Sequence, residues 1–175
     1  MTSSIYTLLP FSAIGAYAFS KFFSRDPHRN MPPGSDMVSP ADGKVYDISD
    51  NNVSIVIGTD NVHIIRAPLP GTIESITSVP GDTIACISTC PSTNRHQRVT
   101  ISTDDGDIDV LLIHGRITKK IELLVSPGQS VEKGARIGRI LLGSGSQVTI
   151  PRSYEITVSP GTRVFAGSSI IATHR

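Results

Sequence analysis

Tryptophan is absent from this chain, and only five Phe and four Tyr are spread over its 175 residues. A core of that size must therefore be built from Val, Ile and Leu, and β-branched side chains favour strands over helices. Neither sign of charge dominates. Sixteen basic against fifteen acidic residues leave a formal +1, which gives no electrostatic footprint for nucleic acid. Cysteine is scarce as well. Cys86 and Cys90, in ACISTCP, have no second cysteine pair and no histidine at ligand spacing, so no metal site is expected. Free thiols are the default expectation; a Cys86–Cys90 disulfide is geometrically allowed but needs an oxidising setting. Amphipathic helical periodicity is missing beyond residue 24.

What the chain does have is turns and short strands. Fifteen Gly and twelve Pro are dispersed between VYDI, VSIVI, VHIIRA, GTIESI, RVTIST and IDVLLIHG, each bounded by Gly, Asn, Asp or Pro. One phrase recurs: SVPGDTIA (78–85), VSPGQSVEKGARIGRI (125–140) and VSPGTRVFAGSSIIA (158–172). Pro pre-sets the first turn dihedral and Gly accepts a positive one. The expected fold is mostly β, a compact β-sandwich or rolled barrel of short strands with lipoyl-like hairpin units. Because lipoyl and biotinyl carrier domains use the same turn grammar, it speaks to fold and not to activity. A carrier needs a lysine on a tight hairpin tip, and Lys44 in DGKV lacks the neighbours of one.

The N-terminus differs. YTLLPFSAIGAYAFSKFF (6–23) carries no charge before Lys21, and SRDPHR follows. Residues 1–24 are expected to form an apolar helix in contact with a membrane, ahead of a β-domain over 25–175. A spanning helix wants roughly 20 apolar residues; an interfacial anchor, with Phe19, Phe22 and Phe23 near headgroups and Lys21, Arg25 and Arg29 beside phosphates, fits the composition equally. No basic region precedes the apolar run, so a secretory signal is not indicated.

Four stretches in order, FFSRDPHRNMP (22–32), VSPADGKVYDI (38–48), NVHIIRAPLPGTI (61–73) and GARIGRILLGSGSQVTIP (134–151), resemble the phosphatidylserine decarboxylase family, in particular its short archaeal-type branch. The resemblance covers nearly all of residues 22–172. It implies a proenzyme that cuts itself at a Gly-Ser bond, the serine becoming a pyruvoyl group on the new chain end. No metal or external cofactor is implied. Counting from Arg136-Ile137-Gly138 puts the pair on Gly143 and Ser144. The family's Leu-Gly-Ser-Thr stands here as Leu142, Gly143, Ser144, Gly145, so the residue after the serine departs from it. A second pair, Gly145-Ser146, lies two residues on.

The residues themselves suit such chemistry. Gly143 has no side chain to obstruct attack on its carbonyl, and Ser144 supplies the hydroxyl. His63 has a near-neutral unperturbed pKa on an apolar strand, suiting a base, although a structural histidine reads the same way. Asp42, in a turn-like Ala-Asp-Gly, either orients His63 or caps local backbone. Larger relatives carry a second histidine where this chain has Arg66. His63 then serves both cleavage and decarboxylation, or another group deprotonates Ser144. Arg66 is read as a fork for the lipid phosphate or the substrate carboxylate, or else as a solvated strand-end charge. His114, ending an apolar strand beside Gly115, is read as a substrate-side contact at the pocket wall or as a strand-end residue without chemical duty. The implied reaction is decarboxylation of phosphatidylserine, or its ether-linked counterpart archaetidylserine, to the matching ethanolamine lipid. The two fragments stay together at a membrane surface, expected to be the cytoplasmic face of the cell membrane; a homo-oligomer stays open. A non-catalytic relative is the alternative.

Overall fold

A computed structural model describes Phe22 and residues 25–118, 120–141 and 144–175. The apolar helix expected over residues 1–24 falls almost wholly outside the described residues, and among these no helix is long and apolar enough to cross a membrane. Fourteen strands follow one another in the described chain. In the first half they are β1 Met37–Val38, β2 Gly43–Ser49, β3 Asn52–Ile57, β4 Ile64–Arg66, β5 Gly71–Val79, β6 His96–Thr103 and β7 Gly106–His114. In the second half they are β8 Lys120–Leu123, β9 Ser130–Val131, β10 Arg136–Leu141, β11 Ser144–Thr149, β12 Tyr154–Ile156, β13 Arg163–Val164 and β14 Ile170–His174.

The mostly β expectation holds. Eight strands make one sheet in the order β13-β2-β3-β11-β7-β6-β5-β9, curled like half of a barrel. Two three-stranded sheets, β4-β10-β8 and β1-β14-β12, complete the described domain. The β2–β3 hairpin turns on Asp50 and Asn51, both at positive φ (49° and 61°). That is the two-residue turn whose twist matches the flanking strands, and Asp and Asn tolerate the left-handed region better than most residues.

The repeated turn phrase is realised twice. Pro127-Gly128 and Pro160-Gly161 each place glycine at positive φ (84° and 99°), and Gly134 and Gly167 (79° and 73°) supply the second turn of each unit. β9 with β10, and β13 with β14, follow from the same grammar. The third copy, at Pro80-Gly81, does not make such a unit. A side chain on Gly81 would run into the Thr93 carbonyl, and the chain enters a loop held by the Asp82–Asn94 bridge.

Strand alternation sends Ile55, Ile57 and Leu112 into the main core, where Ile137 and Ile140 of the irregular strand β10 join them. On the opposite face of the same sheet, Val56, Leu111 and Ile113 pack on Cys90. Here the free-thiol expectation is corrected: Cys86 and Cys90 form a disulfide, their Cα atoms 4.4 Å apart. The 80–95 loop folds back over the sheet and brings the two side chains together, a long-range effect that their spacing of four does not encode.

Candidate active site at the start of strand β11

Ser144 is the first residue of β11, immediately after Leu142 and Gly143, which lie outside the described residues. It is fully buried and stands between two neighbours in register, Ile57 on β3 and His114 on β7. The His114 backbone turns away from β11: its N–H donates to the Arg95 carbonyl (3.0 Å), and its own carbonyl accepts from Asn94 Nδ2 (2.7 Å). Ser144 and His114 are therefore a non-hydrogen-bonded antiparallel pair. Such pairs bring Cα atoms to about 4.5 Å with both side chains on one face. Ser144 Oγ and His114 Nδ1 are both buried, and among the described residues neither has a hydrogen-bond partner. Ser146 Oγ is likewise buried and unpartnered, but its register neighbours are Ile55 and Leu112.

His63 arrives from the other side. It immediately precedes β4, is fully buried, and its carbonyl accepts the Ile140 N–H (3.0 Å) near the end of β10. The 58–63 connection is closed by Asn61, whose Oδ1 accepts from the Gly58 N–H (2.9 Å). One flank of the β10–β11 link is thus tied to Ile57 through Ser144, and the other to His63 through Ile140. Chain segments far apart in sequence, Ile57 with Ser144 and His63 with Ile140, are brought to the two flanks of this link. His63 Nδ1 lies 2.9 Å from the Asn61 carbonyl. A carbonyl only accepts, so that nitrogen carries the proton and Nε2 the lone pair of the neutral ring. Burial lowers the His63 pKa, against a smaller raising effect of the Asn61 carbonyl, and Asp42 adds a weak raising field. Burial also lowers the His114 pKa, with the positive charge of Arg95 acting in the same direction.

Asp42 and Arg66 are both held by charged partners. The Asp42 carboxylate is nearly buried, accepts both contacts of Arg29 Nη2 (2.7 and 3.0 Å) and takes the Ala166 N–H (2.8 Å). No hydrogen bond joins it to His63; it acts on that ring through its field. Arg66 is 7% exposed. Its guanidinium donates to the Gly134 carbonyl (2.7 Å) and pairs with Asp26 (2.7 Å), which also holds Arg136. Held in this way, Arg66 braces β4 against β10. The stretch SRDPHR is thereby explained as a clasp: Arg25 donates to the Asp60 carbonyl, Asp26 binds Arg66 and Arg136, and Arg29 binds Asp42.

Asn94 has no place in the sequence reading. Fully buried, it bonds the Ile84 N–H and carbonyl (3.0 and 2.9 Å) as well as His114. It fixes the strand end on which His114 stands. The only signal for it is an Asn at the entry to a strand, in STNRHQR, which is also an ordinary turn. Gly145 is explained too. A Cβ there would fall 2.6 Å from Cys90 Cβ and 2.8 Å from its Sγ, so the disulfide loop occupies the space in which the family's threonine would stand. Beside the 58–61 turn opens a cleft of about 710 Å³, lined by Lys44, Tyr46, Val56, Asp60, Ile87 and Arg163 among others.

Comparison with known proteins gives the family. A family model described as Phosphatidylserine decarboxylase matches residues 16–172. The phosphatidylserine decarboxylase proenzyme of Solibacter usitatus is 39% identical over 159 residues, covering 88% of this chain and 78% of its own. A protein of Methanosarcina acetivorans, named as a candidate archaetidylserine decarboxylase proenzyme, is 40% identical over 156 residues, covering 89% and 75%. The proenzyme of Ehrlichia chaffeensis is 36% identical over 166 residues, covering 86% and 74%. With the matched model spanning most of its length and relatives this similar, the chain belongs to the phosphatidylserine decarboxylase family.

Proposed function

We propose that this protein is a proenzyme that cuts itself between Gly143 and Ser144 and then decarboxylates a serine phospholipid to the ethanolamine phospholipid and CO2. The observation that carries the reading is the buried, unpartnered hydroxyl of Ser144 at the head of a strand, in a chain of this family. A pyruvoyl group made from Ser144 suits that position: it would cap a strand held on both sides by β3 and β7. When formed, it supplies the electron sink that accepts the pair released as CO2 departs.

The chain's own residues do the rest. His63, kept neutral by burial and fixed in one tautomer by Asn61, is a proton carrier for the carbon that loses CO2. Asp42 biases that proton through its field while anchoring Arg29. The lipid phosphate is assigned to the 710 Å³ cleft, where Lys44 and Arg163 are cross-strand neighbours and the exposed Ile87 offers an apolar side to the acyl chains. Arg66 is held by Gly134 and Asp26, and the phosphate role is given instead to this more exposed pair, of which Arg163 also lies 3.7 Å from Asp60. His114 moves from a substrate contact to the neighbourhood of Ser144. Relatives named for ester-linked and for ether-linked lipids are equally similar, and the serine headgroup is what the two substrates share. Residues 1–24 are assigned to the membrane surface that presents this substrate.

The test is CO2 release from vesicles containing phosphatidylserine. Wild type should release it, and Ser144→Ala should release none, because one substitution removes both the nucleophile and the precursor of the electron sink. Turnover by Ser144→Ala would overturn the reading.

A further inference from the structure

We propose that His114 is the base that deprotonates Ser144 for self-cleavage, leaving His63 to the decarboxylation. The inference rests on the reading that the chain cuts before Ser144. Two buried polar atoms, Ser144 Oγ and His114 Nδ1, stand on cross-strand neighbours of one sheet face and lack partners among the described residues. Buried polar groups almost always find partners, and a pair left open side by side points to a proton that has somewhere to go. The backbone is pinned by Asn94 Nδ2 on the His114 carbonyl and by the Arg95 carbonyl on the His114 N–H.

Ser146 offers the internal control. Its hydroxyl is as buried and as unpartnered, and it too follows a glycine, yet it faces Ile55 and Leu112. Only one of the two Gly-Ser pairs has an imidazole across from it. The register thus selects Ser144 on chemical grounds, and it supplies a base that does not require a histidine at position 66. Burial and Arg95 keep the His114 ring neutral, which is the form a base needs.

The steps balance on the chain and one water. His114 Nδ1 takes the Ser144 Oγ proton, and Oγ bonds to the Gly143 carbonyl carbon. The bond from that carbon to the Ser144 nitrogen breaks, and the nitrogen leaves with the proton from the imidazolium, giving an ester. Loss of the Ser144 Cα proton then breaks the Cβ–Oγ bond. The Gly143 carboxylate departs and a dehydroalanine remains, which water converts to the keto group with release of ammonia.

The experiment follows cutting and CO2 release separately in full-length His114→Ala, His114→Gln and His63→Ala. A base of this kind contributes roughly 100-fold or more, so both His114 variants should accumulate as the uncut 175-residue chain. Imidazole added to the solution should restore cutting to His114→Ala and not to His114→Gln, which fills the site without a base; a packing role would give the reverse. The His63 variant should cut and fail to release CO2. Wild-type cutting rates in both His114 variants, in protein that then decarboxylates, would overturn this inference and leave the enzyme intact. A wild-type chain that never cuts would remove the decarboxylase reading, and this inference with it.

Discussion

Leaving a hydroxyl buried without a hydrogen bond costs roughly 1–3 kcal/mol, and this chain does so at both Ser144 and Ser146. Replacing Ser144 by Ala should therefore leave the thermal midpoint unchanged or slightly raised while cutting is abolished; a marked loss of stability would mean the hydroxyl is a structural element. Ser146→Ala should cut normally. Gly145 makes the opposite kind of prediction. Gly145→Ala pushes a methyl group into Cys90, and overpacking of that sort costs about 1–3 kcal/mol, readable as a lowered denaturation midpoint. The two histidines set the pH response. Burial holds the folded pKa of His63 and His114 below the usual 6.5. Their contribution to stability is complete above that unfolded value and is lost as pH falls below it, because the unfolded chain binds protons that the native one refuses. The acid limbs of cutting and of CO2 release should accordingly lie below pH 6.5, and a limb above it in either assay would contradict the assignment of neutral imidazoles.

Elements were legible where one local rule governed them. The strands around VSIVI, RVTIST and IDVLLIHG emerge as β3, β6 and β7 because alternation and β-branching are properties of the strand alone. Two Pro-Gly units appear as read, since the turn residues dictate the dihedrals. The third failed, and the disulfide was missed, for one reason: the 80–95 loop takes its path from packing on the far face of the sheet, through Asn94 and Cys90. The site divides in the same way. Ser144 and His63 were singled out from motif and residue chemistry, but that Asp42 and Arg66 pair with Arg29 and Asp26 of the 25–29 clasp was not legible there. A charged residue in a motif reads the same whether its partner is a substrate or a distant Asp. The clasp is itself testable. Asp26→Asn leaves the buried Arg66 and its neighbour Arg136 without a counter-charge; losing charged hydrogen bonds of this kind costs roughly 1–3 kcal/mol, measurable by denaturant unfolding. Arg66→Gln should be milder than Asp26→Asn because it removes the buried charge itself and leaves Asp26 paired with Arg136, and activity of the folded fraction should persist in both.

At the scale of the whole molecule, the domain is a curled sheet with Ser144 and His114 in register on its core-facing side and the cleft of Lys44 and Arg163 on the opposite face, beside the 58–61 turn that follows β3. Lys44→Gln with Arg163→Gln should raise KM for phosphatidylserine vesicles about tenfold while kcat and self-cleavage hold, since the pair is assigned to binding and not to chemistry. Removing residues 1–20 should abolish sedimentation with vesicles and leave the β-domain folded, because every described strand lies beyond residue 36. Retained sedimentation would shift membrane contact to the domain itself. The central claim is the self-cleavage at one of two Gly-Ser pairs, and intact mass under denaturing conditions tests it most directly. A 143-residue fragment and a 32-residue fragment should replace the 18.7 kDa chain, the smaller one blocked to Edman degradation because its first residue is a keto acid. A folded preparation that gives only the 18.7 kDa chain, or a small fragment beginning at Ser146, would contradict it.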